Sequence, residues 1–249
     1  MELPIQDPQS WLQALALNGL LIALAQRLPV LTTTGWIHAG ILGTLLWGCL
    51  GPAGWLAVVA YLGLGSLVTR LGFREKAAAG LAEGRDGRRG PENVWGSAAV
   101  GAVLALLTTR LWAPVPLLLL GFAASFAAKL ADTFGSEIGK RWGRHTVLIT
   151  GFRSVPPGTE GAISLEGTAA SLAGSALMTT VMAGLGLVEG GSRWLLVTLV
   201  GLAATLIESV IGSTVQGRIR WLSNELVNGL QTLVAALLAI GLAQALRLA

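Results

Sequence analysis

The chain has 249 residues, of which 53% are hydrophobic and only 12% are charged, and its mean hydropathy is +0.68. Soluble domains carry about 25% charged residues, so this composition excludes an ordinary soluble domain. The net charge is +4, but the basic residues lie between apolar segments, where membrane topology explains them without a nucleic-acid partner. The single cysteine, Cys49, lies in an apolar run, which excludes a disulfide framework. The N-terminal sequence MELPIQDPQS has no basic stretch, so we expect no cleavable signal peptide.

Eight apolar segments follow one another along the chain. A helix needs about 20 residues to cross a bilayer, and a spanning helix satisfies its own backbone hydrogen bonds there. We therefore predict an all-α fold, a polytopic transmembrane helical bundle in a single integral membrane domain over residues 1–249. The pattern indicates about eight spans and is compatible with six to nine. The segments are 11–28, 36–50, 53–71, 94–112, 115–138, 167–188, 193–217 and 225–247, and Gly51-Pro52 predicts a tight link between the second and third.

Basic residues are distributed unevenly between the two sides of this bundle. The loops after the odd-numbered segments carry thirteen Lys and Arg residues, and the opposite side carries three. The positive-inside rule then places the charged loops in the cytoplasm and both termini outside, in the plasma membrane or thylakoid of a bacterium. The cytoplasmic loop 73–93 mixes both signs of charge with glycine, which favours a flexible solvated connector. Contact with anionic lipid or a nucleotide is the alternative.

The stretch 129–168 holds most of the polar chemistry, although it lies between two apolar segments. Three- and four-residue spacing places several of its polar residues on one face of a helix. This stripe consists of Lys129, Asp132, Thr133, Ser136 and Lys140, with Glu137 at its edge. Ionisable residues inside spans are costly and usually functional; the alternative is an internal ion pair or hydrogen bond that holds helices together. A second stripe, Gly135, Gly139 and Gly143, predicts close approach of another helix or of a ligand.

The predicted cytoplasmic loop over residues 139–166 has the composition of a substrate or nucleotide loop. Pro156-Pro157-Gly158 fixes a bend, and glycines in such loops leave backbone N–H groups free to face an anion. Arginine suits phosphate, and carboxylates hold Mg²⁺ beside substrate phosphates. The candidate ligands are Gly158, Thr159, Gly161, Ser164, Arg153, Glu160 and Glu166, of which Ser164 is equally suited to cap the following helix.

Two later segments place further polar groups on the same predicted side. Glu208 and Gln216 share one face of the seventh segment, and Asn224 and Asn228 lie four residues apart at the start of the eighth. A buried glutamate needs a partner, such as a metal, Lys129 or a substrate hydroxyl, and Asn224 has a cap as its alternative role. Together these residues predict a site for phosphates and a divalent metal at the membrane surface.

Two familiar kinds of site are excluded by the sequence. There is no P-loop pattern and no cluster of zinc ligands. The only histidines are His38, inside a predicted span, and His145, in a predicted surface loop, and these positions make a histidine-based catalytic triad improbable.

Four blocks of sequence resemble a family of integral membrane proteins that includes the plant and cyanobacterial phytyl-phosphate kinases of tocopherol synthesis. The blocks are ADTFGSEIGK (131–140), VPPGTEGAISLEGT (155–168), ESVIGSTVQ (208–216) and NELVN (224–228). The resemblance implies transfer of a phosphoryl group from a nucleoside triphosphate, CTP in the first instance, to an isoprenoid monophosphate. Phytyl diphosphate is the implied product, and Mg²⁺ is the implied cofactor.

With this resemblance, the candidate residues receive roles. We expect Lys129, Asp132, Glu137 and Glu208 to be catalytic and Asp132, Glu137, Glu160 and Glu208 to hold the metal. We expect the substrate and nucleotide to contact Lys140, Arg153, Gly158, Thr159, Glu160, Gly161, Ser164, Gln216, Asn224 and Asn228. The expected partners are the lipid monophosphate, the triphosphate and membrane lipids, and the oligomeric state is not specified by the sequence. The alternatives are a CTP-dependent kinase of phytol or another isoprenol, a cytidylyltransferase, and an ion-coupled transporter or lipid flippase.

Overall fold

The computed structural model describes residues 8–110, 114–216, 219 and 221–248, and this part of the chain is mostly helical, as predicted. Its helices are α1 (Pro8–Ala25), α2 (Thr33–Arg70), α3 (Phe73–Ala78), α4 (Pro91–Leu107), α5 (Val115–Trp142), α6 (Leu165–Gly184), α7 (Gly191–Ile211) and α8 (Asn224–Ala245). A 3-10 turn at Arg85–Gly87 and a π-helical turn at Gly212–Gln216 accompany them. Two short strands, β1 (Val147–Leu148) and β2 (Ala162–Ile163), pair antiparallel.

Four of the described helices are long and apolar enough to cross a membrane: α2, α5, α8 and the stretch Gly191–Val215 that contains α7. Over the described residues, each of the eight predicted segments corresponds to a helix or to one half of α2. The helical membrane architecture is therefore confirmed. The total of about eight spans stays a prediction, since α1, α4 and α6 are shorter or less apolar.

Helix α2 consists of two arms joined by a kink at Gly51. Gly51 has φ 66° and ψ −161°, a conformation that glycine adopts without strain, and Pro52 begins the second arm. The rings of Trp47 and Trp55 pack edge to face beside the kink, with centroids 5.7 Å apart. The tight link predicted at this point is confirmed, and it accounts for a single helix assignment over two predicted segments.

Helix α5 forms the axis of the bundle and packs against α2, α4, α6, α7 and α8. Every residue from Gly121 to Ala131 is buried. Small side chains there allow neighbouring backbones to approach closely: a Cβ atom on Gly201 of α7 would lie 3.2 Å from backbone atoms of Ala127 and Ala128.

The glycine stripe of α5 is the contact surface for α6. A Cβ atom on Gly167 would lie 2.9 Å from the carbonyl oxygen of Gly135 and 3.4 Å from Cα of Gly139. Further along, a Cβ on Gly174 would lie 2.9 Å from the carbonyl oxygen of Leu130. The predicted close approach of a second helix is confirmed, and α6 is that helix.

Two folded loops cover the end of the bundle where α5 and α7 end and α4, α6 and α8 begin. One contains the β1–β2 hairpin and the other contains α3 and the 3-10 turn. The loops touch, since a Cβ on Gly158 would lie 2.7 Å from Cδ2 of Leu81. The interpretation of residues 73–93 as a solvated connector is wrong for Lys76, which is only 1% exposed.

Candidate functional site

A polar cavity of about 550 Å³ lies at this end of the bundle. Its walls come from α2, the loop 73–93, α4, α5, the loop 143–164, α6, α7 and α8. It gathers most of the residues that the sequence singled out. The predicted site residues that line it are Lys129, Asp132, Glu137, Lys140, Gly158, Thr159, Glu160, Gly161, Ser164, Glu208, Asn224 and Asn228.

The polar stripe of α5 forms one wall. The Nζ atom of Lys129 donates to the Asp132 carboxylate and, at 2.9 Å, to Oδ1 of Asn228 on α8. Thr133 turns its hydroxyl back to the Lys129 carbonyl oxygen, at 2.9 Å. The ion pair between Lys129 and Asp132 that the sequence left as an alternative is thus observed. The pair faces the cavity, because both residues line it.

Helix α7, which packs against α5, supplies Glu208 to the cavity wall. Its side chain is partly buried and lies within electrostatic range of Asp132, Lys129 and Glu160. The π-helical turn that follows α7 begins four residues later, and such turns are frequent at functional sites. The cavity therefore brings carboxylates from α5, α7 and the loop 143–164 together.

The loop at Val155–Ser164 bends over the cavity as predicted. Both the backbone N–H and the hydroxyl of Thr159 donate to the Pro156 carbonyl oxygen, at 3.3 and 2.7 Å. Gly158 and Gly161 have φ of 83° and 72°, a region that L side chains rarely adopt. A Cβ on Gly161 would lie 2.5 Å from the backbone nitrogen of Ser213, so this glycine seats the loop against the end of α7.

Two cap assignments are now decided. The Ser164 hydroxyl accepts a hydrogen bond from the Gly167 N–H at 3.0 Å and caps α6, while the residue also lines the cavity. Asn224 is not a cap: Ser223 occupies that position and accepts from the Leu226 N–H at 3.3 Å. The amide of Asn224 is left free of that role at the cavity wall.

Three predicted residues depart from the expected arrangement. Arg153 is exposed and does not line the cavity. The carboxylate of Glu137 is buried in an ion pair with Lys76, and so it is directed to the loop 73–93 and not to the other carboxylates. The backbone of Gln216 lies in the π-helical turn, and its side chain lies outside the described residues.

Glu160 in the loop and Glu166 in the first turn of α6 lie in contrasting surroundings. Desolvation raises the pKa of Glu160; Lys140 opposes this shift, and the negative charges of Asp132 and Glu83 add to it. A hydrogen bond from its own backbone N–H lowers the pKa of Glu166, as does one from the Arg144 N–H. Glu166 is therefore satisfied outside the cavity, whereas Glu160 lies where a cation would stabilise its ionised form.

The sequence did not predict the contribution of α2 to the cavity, and it offered contact of the loop 73–93 with an anion only as the alternative interpretation. The cavity wall also contains Tyr61, Glu83, Arg85, Arg88 and Arg89. The composition RDGRRG at residues 85–90 offered the signal, since three arginines among glycines suit anions as well as solvent. The solvated connector was favoured over contact with an anion because the partners of these arginines lie far away in sequence.

Pairing of charges divides the ionisable residues of the cavity into two groups. Among the described residues, Arg89 is the one cavity-lining base without a carboxylate within 4 Å. On the same criterion and over the same residues, three lining carboxylates lack a basic partner: Glu160, Glu208 and Glu225. The cavity thus presents one unpaired guanidinium and several unpaired carboxylates.

The carboxylates suit a metal that is shared with a ligand. Among the described residues no group of three or more His, Cys, Asp or Glu can hold a metal ion alone. Mg²⁺ bound with substrate phosphates needs only one or two carboxylates. Asp132 lies within electrostatic range of both Glu160 and Glu208, so one or two of these carboxylates could share a metal with a ligand, whereas the carboxylate of Glu137 is held by Lys76.

Fold and cavity together define a helical integral membrane protein with a polar, charge-lined site at one end of its bundle. The chain matches the integral membrane protein family DUF92 over residues 16–236. It belongs to that family, as the sequence blocks indicated.

Relatives span bacteria, plants and archaea. An uncharacterized membrane protein of Synechocystis is 48% identical over 93% of this chain and 91% of its own length. The chloroplastic protein VTE6 of Arabidopsis thaliana is 41% identical over 93% of this chain and 71% of its own. An uncharacterized membrane protein of Methanocaldococcus jannaschii is 30% identical over 88% and 89%. No solved structure matches the chain.

Proposed function

We propose that this protein is a membrane kinase that transfers the γ-phosphoryl group of a nucleoside triphosphate, CTP in our proposal, to phytyl phosphate or a related isoprenyl monophosphate. The observation that carries the proposal is the charge pattern of the cavity, which contains unpaired carboxylates and an unpaired guanidinium at the end of the bundle where α4, α6 and α8 begin. Helix N-termini favour phosphate, and carboxylates favour a divalent cation. The four sequence blocks that resemble phytyl-phosphate kinases support the same class of reaction.

The location of the cavity suits an amphiphilic acceptor. An isoprenyl monophosphate has a lipid-soluble tail and an anionic head. With its tail among the apolar helices, the head would reach the end of the bundle, where Lys129 and Asn228 contact each other at 2.9 Å. Lys140 and the turn Gly158–Gly161 would receive the triphosphate from water, because they belong to a helix end and a loop.

The proposed reaction needs positioning and charge neutralisation more than acid–base catalysis. An oxygen of the acceptor monophosphate attacks the γ-phosphorus, the bond from this phosphorus to the bridging oxygen breaks, and the nucleoside diphosphate leaves. No proton is left over, since the acceptor oxygen is already ionised. His38 is occupied as the acceptor of the Trp95 indole N–H at 2.9 Å, and His145 is exposed outside the cavity.

Asp132 with either Glu208 or Glu160 would hold Mg²⁺, which when bound neutralises charge on the triphosphate. Lys129 orients Asp132 through their ion pair. Lys140 is itself held by Glu83, at 3.1 Å, which directs its ammonium group into the cavity from the loop side.

The test is an assay of purified protein in detergent, with phytyl, geranylgeranyl and farnesyl monophosphates each combined with CTP, UTP, ATP or GTP. Label from the γ-phosphate should appear in a lipid diphosphate. Label in a monophosphate formed from the free alcohol would instead identify an alcohol kinase, and α-label retained in lipid would identify a cytidylyltransferase. Uptake of a solute into liposomes without nucleotide would replace the kinase with a transporter.

Asp132→Asn tests the proposed centre within the same assay. The substitution keeps the size of the side chain but removes the charge that pairs with Lys129 and contributes to the metal site. We expect kcat/KM to fall by about 100-fold or more. Glu189→Gln is the matched control, since Glu189 is an exposed carboxylate between α6 and α7, away from the cavity. Full turnover by Asp132→Asn would remove this residue from the mechanism.

A further inference from the structure

We propose that Arg89 binds the phosphate head of the acceptor lipid, a role that rests on the proposed kinase function. Three features lead to this assignment: an anchored backbone, a preorganised guanidinium without a counter-ion, and a link through Tyr61 to Lys129 among the helices.

The backbone of Arg89 is anchored where the α1–α2 connection meets the start of α4. Its N–H donates to the Val30 carbonyl oxygen at 3.1 Å, and its carbonyl oxygen accepts from the Thr32 N–H at 3.0 Å. The same carbonyl oxygen would lie 2.5 Å from a Cβ on Gly35. Because both the N–H and the carbonyl oxygen of Arg89 are hydrogen-bonded, the position of its Cα atom, from which the side chain extends, is fixed.

The guanidinium of Arg89 is held across α2. Its Nη1 donates to the Tyr61 hydroxyl at 3.1 Å, and its Cζ lies 5.4 Å from the centre of the Tyr61 ring. A Cβ on Gly65 would lie 2.6 Å from Nη2, so the absence of a side chain at Gly65 makes room for the fork. Stacking and a neutral hydrogen bond orient the group but leave its charge uncompensated among the described residues. A planar guanidinium of this kind suits bidentate binding of a phosphate.

Of the cations that line the cavity, Arg85 and Arg88 are paired with Glu92 and Asp86 on exposed side chains. The remaining cations form two clusters. Arg89 contacts Tyr61, and Tyr61 lies within electrostatic range of Lys129. This inner cluster is supported by helices α2, α5 and α8. The outer cluster consists of Lys140 with its loop partners Glu83 and Glu160.

Asp132 connects the two clusters, since it lies within electrostatic range of both Lys129 and Lys140. Two phosphate-bearing substrates and one metal site between them would produce this arrangement. The inner cluster suits the lipid phosphate because Arg89, although it belongs to the loop before α4, is held by Tyr61 of α2 and is linked through it to Lys129 of α5, which contacts Asn228 of α8. The outer cluster suits the nucleotide because Lys140 lies near the end of α5 and its partners Glu83 and Glu160 lie on loops.

Equilibrium binding tests the assignment without any need for turnover. The full chain in detergent is titrated by calorimetry with farnesyl monophosphate, with inorganic phosphate and with CTP plus Mg²⁺. We expect Arg89→Gln to lower the affinity for farnesyl monophosphate and for inorganic phosphate by about 10- to 100-fold. The affinity for CTP should change less than about twofold. Arg89→Lys keeps the charge but loses the fork, so its affinity should be intermediate. Arg144→Gln, at an exposed site paired with Glu166, is the matched control.

Arg89 also packs on Tyr61, so the thermal unfolding midpoint of each ligand-free variant measures its structural part. If Arg89→Gln fails to fold, the decision passes to Arg89→Lys. Unchanged affinity for farnesyl monophosphate in the folded variants would overturn the assignment. An equal loss of affinity for all three ligands would also overturn it, because that pattern indicates a structural role. The assignment would likewise fail if the wild-type protein bound neither farnesyl monophosphate nor inorganic phosphate.

The outcome is separable from that of the kinase assay. Arg89-dependent binding of farnesyl monophosphate by a protein that transfers no phosphoryl group would leave the binding site intact and reject the kinase. Phosphoryl transfer by a protein whose binding of farnesyl monophosphate does not depend on Arg89 would support the kinase and reject the role of Arg89.

Discussion

At the scale of single residues, the ion pair of Lys76 and Glu137 is the most thoroughly buried charge pair in the described structure, with side chains 1% and 3% exposed. Lys76 also donates to the Thr69 carbonyl oxygen at 2.9 Å. The pair therefore ties the end of α2 and the loop 73–93 to α5. Burial of two charges is offset only when both partners are present, whereas an apolar pair of similar size is often as stable.

This asymmetry gives a prediction about stability. Lys76→Met alone leaves the Glu137 carboxylate buried without its partner and should destabilise the protein by about 3–5 kcal/mol. The double variant Lys76→Met with Glu137→Leu should recover most of that loss. Unfolding in detergent, followed by circular dichroism, gives the three free energies of unfolding.

The same double variant decides between two roles for Glu137. The sequence predicted a metal ligand, and the structure shows a partner of Lys76. Kinase activity within a few-fold of wild type in the double variant would establish the structural role. A stable double variant with no activity would restore Glu137 to the catalytic centre.

The separation of two residues along the chain decides whether their contact could be predicted from the sequence. Lys129 and Asp132 are three residues apart, so helical periodicity alone placed them together. Lys76 and Glu137 are 61 residues apart, and no local pattern reveals such a pair. Arg153 shows the converse, because a charged residue in a Gly/Pro loop matched the expected chemistry but its direction depends on how the loop folds.

At the scale of elements, the contact between α5 and α6 depends on glycine at positions where backbone faces backbone. At Gly167 the nearest atoms to an added Cβ include the carbonyl oxygen of Gly135, which cannot rotate away as a side chain can. Small residues at such crossings permit the van der Waals contacts that hold helices together in lipid.

Gly167→Ala should therefore separate α5 from α6 and destabilise the protein by about 1–3 kcal/mol. Gly241→Ala is the matched control, because Gly241 lies inside α8, is exposed and would place its Cβ in open space. That control should stay within about 1 kcal/mol of wild type. Thermal unfolding in the same detergent compares the two, and equal stability would show that the helices can adjust to the extra methyl group.

The boundaries of α5 show where hydropathy stops being informative. The apolar segment ended at residue 138, but the polar and glycine stripes predicted that the helix continues, and α5 indeed extends to Trp142. Polar side chains reduce hydropathy near that end, yet the helix persists because the cavity and Glu83 provide partners for them. Gly51-Pro52, by contrast, was readable from sequence because φ preferences of glycine and proline act locally.

At the scale of the whole molecule, charge is segregated to the cavity end. Membrane topology is not the only cause of the excess of basic residues at this end, because some of them line the cavity or support it. These residues are Lys76, Lys140, Arg85, Arg88 and Arg89. Without these five, and without residues outside the described ranges, the cavity end still holds more arginines that serve no role in the cavity. They are Arg27, Arg70, Arg74, Arg141, Arg144 and Arg153, against Arg110, Arg193 and Arg247 at the other end. The excess of basic residues at the cavity end is smaller than the sequence indicated, but it still favours a cytoplasmic location of the cavity.

Labelling of single cysteines tests this orientation and, given that α5 crosses, whether α4 and α6 also cross the membrane. In a Cys49→Ala background, Asp86→Cys and Phe152→Cys lie on exposed loops at the cavity end, and Ser192→Cys lies at the start of α7 at the other end. If α4, α5 and α6 all cross the membrane and the cavity is cytoplasmic, an impermeant maleimide should label the first two variants only in inverted vesicles and the third only in intact cells. Labelling of all three in the opposite compartments would reverse the orientation. Labelling of Phe152→Cys and Ser192→Cys from one side would show that α6 does not cross, and labelling of Asp86→Cys and Phe152→Cys from opposite sides would show the same of α4.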